Sequence, residues 1–346
     1  MSASPIALVV GASRGLGLLM ARALLDRDRR VIIAARDADE LAQAAELLRA
    51  GRPGDSAPRD AADIQTRVCD VRDREAVHAL VEEIERDLGP IETAITVAGI
   101  IQAGPAESMQ YSHFEDAINT MTWGPIHVAM AVLPGMRARR AGHIGTVASL
   151  GGMVAAPHLL PYSTAKFGAV GFSDGLAAEL SGTGVTATTI APGLMRTGGH
   201  EHALFTGKPE QEYAWFAPSA SLPLVSIDAD RAAARYVDAV LDGRPMVTST
   251  PLAWIGIRAR GLAPGLTTRV MGLANRALPD APEGEAPTIP GRQAAQRLSG
   301  VAKKVVDGLS VLGTRAARRN NERAQDLTEG PAADSAQNPA PGRDRQ

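Results

Sequence analysis

The sequence predicts an α/β fold in which a parallel sheet of about seven strands carries helices on both faces. Three observations lead there. Short β-branched runs alternate with helix-length apolar periodicities over the first 250 residues. Successive strands are separated by crossovers of helix length, the signature of βαβ units. The first strand runs straight into a glycine-rich turn.

Each element follows from its residues. Ile6–Val10 is a β-branched run closed by Gly11, as suits a buried parallel strand. Residues 15–27 place Leu16, Leu19, Met20, Ala23 and Leu24 on one helical face. A strand over 31–34 and an Ala/Leu-rich helix over 39–49 come next, and the Gly/Pro/Asp-rich stretch 50–63 reads as a loop. A strand at 66–69 leads to a helix over 74–88 with Ala76, Val77, Leu80, Val81 and Ile84 in register. Further strands are expected at 91–97, 143–148, 185–190 and 246–249. One long helix is expected over 114–138, and others over 162–180 and 228–241. Ligands of such sheets sit beyond the carboxyl ends of the strands, so chemistry is expected after Val10, Val97, Ala148 and Ile190.

Composition narrows the function class. Of 346 residues 45% are apolar and 21% charged, enough for a large core, and the net charge of −2 gives no general case for nucleic-acid binding. The single cysteine, Cys69, excludes an intrachain disulfide framework and a thiolate zinc cluster. No run reaches the roughly 18 apolar residues of a membrane span, and no basic, apolar leader precedes the first strand. A cytoplasmic protein is the expectation. Charge is uneven, however. Residues 243–346 carry a net +6 against −8 for the rest, which suggests an acidic catalytic body with a basic appendage.

The turn after the first strand reads Gly11-Ala12-Ser13-Arg14-Gly15-Leu16-Gly17. Glycines there permit a tight turn and close approach of the backbone to a pyrophosphate, which the following helix N-terminus favours. An acidic residue at the end of the second strand would select NAD, but the sequence has Ala34-Ala35-Arg36. Arg36, with Arg14 as a second contact, suits a 2′-phosphate, so NADP is favoured over NAD.

Ser149 closes the fifth strand, Tyr162 follows 13 residues later, and Lys166 lies four beyond that. On a helix starting near Pro161, Tyr162 and Lys166 share a face. A nearby ammonium would lower the phenol pKa from about 10 and make it a usable acid or base. The serine hydroxyl could hold a substrate oxygen as charge develops on it.

These residues, with Pro192-Gly193-Leu194-Met195-Arg196-Thr197, resemble the short-chain dehydrogenase/reductase family over residues 5–250. The resemblance implies a Rossmann-type fold and an NAD(P)-dependent oxidoreductase acting on carbonyls or secondary alcohols. It implies that Tyr162 is the general acid/base, that Lys166 lowers its pKa and binds the nicotinamide ribose, and that Ser149 orients the carbonyl. Asn119 would hold a relay water. Asp70 and Val71 would contact adenine, and Pro192, Gly193 and Thr197 would lie beside the nicotinamide. The family's Asn-Asn-Ala-Gly stands here as Thr96-Val97-Ala98-Gly99, with Ala98 and Gly99 kept as cofactor contacts and Val97 unable to make an asparagine's bonds.

Residues 198–227 are expected to form a substrate lid. Phe205, Tyr213, Trp215 and Phe216 there suggest an apolar pocket wall and an apolar substrate. His200, Glu201 and His202 are expected to be exposed loop residues rather than metal ligands. The dehydrogenase unit is expected to span 1–250. Beyond it, 251–279 is apolar and basic, with no acid between Gly243 and Pro279. It could lie on an anionic membrane, but packing on the body or a subunit interface is favoured. Residues 280–346 read as a linker, an amphipathic basic helix over 292–323 and a disordered tail from 329. No nucleic-acid partner is expected, and homo-oligomerisation is. Alternatives are an epimerase or dehydratase on the same scaffold, or a non-catalytic nucleotide-binding protein.

Overall fold

A computed structural model describes residues 4–51, 60–219, 221, 226–284 and 287–322. In chain order the first part comprises β1 (Ile6–Val10), α1 (Gly15–Leu25), β2 (Arg30–Ala35), α2 (Ala38–Ala50), β3 (Ile64–Val68), α3 (Arg74–Asp87), β4 (Ile91–Thr96) and β5 (Gln102–Ala103). Next come α4 (Tyr111–Ile118), α5 (Gly124–Arg139), β6 (Gly142–Val147), α6 (Leu160–Glu179), β7 (Val185–Ala191), β8 (Met195–Arg196), β9 (Leu204–Phe205) and α7 (Pro209–Ser219). The last part holds β10 (Ile227–Asp228), α8 (Ala229–Leu241), β11 (Met246–Thr248), α9 (Pro251–Leu262), α10 (Pro264–Asn275), β12 (Ile289–Pro290), α11 (Gly291–Arg297) and α12 (Gly300–Arg319).

Seven strands form one sheet in the order β11-β7-β6-β4-β1-β2-β3, every pairing parallel. The order reverses beside β1, between β2 and β4, where a doubly wound sheet opens its ligand crevice. Each face is covered by helices. One core joins β1, β2 and β7 side chains to α1, α2 and α8, and the other joins the opposite faces of β1, β4 and β6 to α3, α5 and α6. All five residues of β1 are buried, which explains its unbroken apolar run.

The expected strands and helices 1–250 stand within a few residues of where the pattern placed them, with one division. The helix expected over 114–138 is α4 and α5, joined by a π-helical turn, Asn119–Trp123. Such turns insert a residue into the helix and recur at functional sites. The pattern 292–323 is likewise two helices, because Leu298 and Ser299 adopt extended backbone between α11 and α12. Most of the 50–63 loop and the tail from 329 lie outside the described residues.

The lid carries a small core of its own. Phe205, Tyr213 and Phe216 pack edge-on with Ile289 and Val306, while Trp215 borders them. Three of the four lid aromatics are therefore interior to the lid rather than an open pocket wall. Their area is used to dock α7 on β9 and the carboxyl-terminal helices. Residues 251–279 bury little against the body of this single chain. Of α9 only Ala253 is buried, and α10 buries nothing.

Candidate active site

The first cluster is built by the end of β6 and the start of α6. Ser149 leaves the strand in extended backbone and accepts a hydrogen bond from the Gly151 amide at 3.0 Å, which fixes its hydroxyl. The Leu150 amide bonds the Pro192 carbonyl at 2.8 Å, tying this turn to the segment after β7. Pro161 sits in the first turn of α6, where a missing N–H costs nothing, so Tyr162 enters one residue later. Lys166, one turn on, is buried, and its Nζ donates to the Val147 carbonyl at 2.6 Å and lies 5.9 Å from the Tyr162 ring centre. Gly99, after β4, lies beside it: a Cβ there would be 3.8 Å from Lys166 Nζ.

Electrostatics differ from the expectation in one respect. Burial pushes the Tyr162 phenol above its usual value, and its hydrogen bond with Ser149 opposes that. Burial also pulls the Lys166 ammonium down to about 7. A lysine so depressed carries less positive charge near neutral pH with which to stabilise a phenolate.

Asn119 does not join this cluster. It is exposed, whereas Met121 is wholly buried against Gly99, with its Sδ 3.4 Å from the place a Cβ would occupy. Two residues along a helical turn are nearly opposite in direction, so only one of the pair can face Tyr162. Ala117, Met121 and Ala165 form the packed wall beside it.

The second cluster is the turn after β1. Gly17 packs directly on the Gly11 carbonyl, and Gly11, at φ 88, lies against the Ala98 backbone, so neither position admits a side chain. The first intrahelical bond of α1 runs from Leu18 to Arg14, leaving the amides of Leu16 and Gly17 without an intrahelical acceptor. Backbone amides placed so at a helix start are the kind of donors that can hold an anion. Ser13 Oγ donates to the buried Glu40 carboxylate at 2.8 Å, and Arg14 pairs with the same group at 2.5 Å. Arg36 is exposed at the end of β2. It faces Asp70, whose carboxyl partial burial would raise but which bonds from Arg72 and the Arg36 charge hold low. Val71 is buried beneath that end. The expected cofactor residues of β1, β2, β3 and β4 thus line one edge of the sheet.

A family model described as short chain dehydrogenase matches residues 5–204. The chain belongs to the short-chain dehydrogenases. A ketoacyl reductase named for the granaticin polyketide synthase of Streptomyces violaceoruber is 33% identical over 198 residues, 57% of this chain and 70% of that protein. The 3-oxoacyl-(acyl-carrier-protein) reductase of Vibrio harveyi is 33% identical over 192 residues, 56% of this chain and 74% of that one. Among solved structures, an actinorhodin polyketide ketoreductase variant with NADPH superposes with a TM-score of 0.60 at 27% identity. It covers 71% of this chain and 95% of its own. This dehydrogenase is accordingly an NAD(P)-dependent oxidoreductase acting on CH–OH or C=O groups.

Two features of this short-chain dehydrogenase escaped sequence reasoning. His158, in left-handed backbone before α6, places Nδ1 2.8 Å from the fully buried Glu212 of α7, and Trp215 Nε1 donates to the same carboxylate at 2.8 Å. This network fastens the lid to the loop that delivers Tyr162. His200 and Glu201 are buried and His202 half-buried, contrary to the exposed placement expected of them. Beside them lie Asn320, Asn321 and Glu322, which follow α12 and reach the Gly11–Gly17 turn. Burial pushes the Glu322 carboxyl up to about 7, with Arg14 working against it. The apolar face of α12 was legible, but nothing in its spacing says where the helix docks.

Proposed function

We propose that this dehydrogenase is an NADP-preferring reductase of apolar carbonyl compounds. The observation that carries this is the Ser149–Tyr162–Lys166 cluster at the carboxyl end of the sheet, adjoining Gly99 and Pro192. A bound nicotinamide would supply the hydride. Ser149 would hold the substrate oxygen and Tyr162 would give it a proton. Lys166 would hold the ribose hydroxyls and return a proton to Tyr162. Met121 fills the wall where the family asparagine was expected, so proton resupply falls to Lys166 and solvent. Ile100, Ile118 and Met121 around Tyr162 favour an apolar substrate over a sugar. The relatives named as ketoacyl reductases point the same way.

The cofactor would be held by Gly11, Ser13, Arg14, Gly15, Leu16 and Gly17 at the phosphates, Asp70 and Val71 at adenine, and Ala98, Gly99, Pro192, Gly193 and Thr197 towards the nicotinamide. Arg14 is already engaged by Glu40, which leaves the exposed Arg36 as the principal cation for a 2′-phosphate. Arg36→Ala is expected to weaken NADPH binding about 10- to 100-fold, the weight of one or two charge-assisted bonds, with NADH little changed. Nicotinamide fluorescence titration checks this. Equal affinity of the parent for both nucleotides would remove the NADP preference.

We also propose a peripheral membrane contact through α9 and α10. Leu252, Trp254, Ile255, Leu262, Leu266 and Leu273 are all at least half exposed, among three arginines and no acid. Arg258 stacks over Trp254 at 3.6 Å. That chemistry suits an anionic lipid surface. No described helix is long and apolar enough to cross a membrane. The chain should float with vesicles containing phosphatidylglycerol but not with phosphatidylcholine alone, and Leu262→Asp with Leu266→Asp should abolish flotation. A parent chain that stays in solution with both would refute the contact.

A further inference from the structure

The dinucleotide crevice has two lips, the turn after β1 and the loop after β7. Helix α12 ends between them, its Ala317 packed on Gly198 of the second lip. The three residues that follow bond to both.

The Asn320 carbonyl accepts from the Gly15 amide at 2.8 Å, while its side-chain amide donates to the Thr197 carbonyl at 3.3 Å. Asn321 takes left-handed backbone at φ 60, and its Nδ2 donates to the Ser13 carbonyl at 2.9 Å and the Glu40 carbonyl at 3.3 Å. The Glu322 carboxylate lies 3.5 Å from Arg14 Nε on the first lip and 3.6 Å from His202 Nε2 on the second. Its main-chain carbonyl accepts from His202 and, at 3.4 Å, from Arg292. All three residues are buried.

Burying two amides and a carboxylate is costly unless each is bonded, and these bonds run to opposite sides of the crevice. Glu322 also covers Gly15 closely: a Cβ there would lie 2.5 Å from its Oε1. The Gly15 amide is one of the unpaired donors at the start of α1, and it is closed by Asn320 rather than left to a ligand. The helix behind these residues holds lightly. Among residues 300–319 whose burial is described, only Val306, Ser310, Gly313, Ala316 and Ala317 are buried. A unit with so little buried apolar area opens at low cost relative to the sheet.

We propose that Asn320, Asn321 and Glu322 form a clasp across the crevice that a nicotinamide dinucleotide phosphate must displace in order to bind, because the clasp holds the Gly15 amide and sets a carboxylate against Gly15 and Arg14. This rests on the nicotinamide reading above. The bonds lie on the backbone of Ser13, Gly15 and Thr197, so the clasp governs cofactor entry whatever the substrate. Arg14, shared between Glu40 and Glu322, links its closure to the phosphate end.

Stopped-flow measurement of NADPH binding, and of its release into excess NADP, tests this in the full chain. The double variant Asn321→Ala/Glu322→Ala removes the side-chain bonds to Ser13, Glu40, Arg14 and His202. Association should rise about tenfold with release little changed, since the clasp competes with the cofactor for the turn rather than closing over it. Glu322→Gln keeps the shape and should give a smaller rise in association. Melting curves matching the parent would confirm that the variants are folded. An unchanged association rate would overturn the clasp, and so would a release rate that rises as much as association, which describes a lid closed over the bound cofactor. If the parent chain binds no NADPH, the nicotinamide reading fails and the clasp falls with it.

Discussion

Tyr162→Phe is expected to lower kcat for carbonyl reduction by about 100- to 10,000-fold, the usual weight of a positioned general acid. The change removes one oxygen and keeps the ring that packs against Ile100, Ile118, Met121 and Ala165. NADPH affinity should therefore stay within a few-fold of the parent, and the melting temperature should hardly move. Ser149 loses its phenol partner but keeps the Gly151 amide, so the strand end stays in place. A rate loss confined to kcat distinguishes a proton donor from a residue that merely shapes the pocket. Retention of most of the activity would assign the proton to another group and leave this cluster a structural one.

Lys166→Met should be equally inactive, yet more stable than the parent without cofactor at neutral and acid pH. The Lys166 value is drawn down from 10.5 to about 7 by burial. Its sign follows directly. Between those values the unfolded chain holds a proton that the folded chain lacks, so parent stability rises with pH across that window. Below about 7 both states are protonated and the cost of burying the ammonium is present in full. Methionine has no charge to desolvate and fills a similar volume. The melting-temperature gap in favour of the variant should be widest near pH 6 and shrink towards about pH 10. A variant less stable than the parent at pH 6 would show that the Val147 carbonyl and its surroundings hold the ammonium better than burial alone suggests. The pairing of lost activity with gained stability is the usual mark of a site held in a costly state for function.

The sheet was legible because its signals are local. A buried parallel strand such as β1 needs a short β-branched run, and the helices between strands need one apolar face. Those patterns survive whatever lies next to them. The glycine turn and the pair Tyr162 and Lys166 were legible for a like reason: i,i+4 spacing on a helix fixes their neighbourhood without further help. Asn119 shows the limit. Its neighbours Ala117 and Met121 are spaced as one inward face, a signal that would have placed Asn119 outside. In the folded chain the π-helical turn sets Met121, and not Asn119, against Gly99.

By itself the sequence determined the doubly wound sheet, the tight glycine turn at Gly11–Gly17 and the neighbourhood of Ser149, Tyr162 and Lys166. Each depends on contacts within one element or between neighbours in a βαβ unit. The tertiary structure alone decided that Arg14 is shared by Glu40 and Glu322, that His158 grips Glu212, and that Asn320–Glu322 bridge the crevice. Those partners are 26, 308, 54, 305, 123 and 308 positions apart or thereabouts in the chain. No periodicity reports on such distances, because a side-chain bond between remote segments leaves no repeating trace in either of them. Where α12 docks depended on which buried polar groups found partners, and only the folded chain settles that.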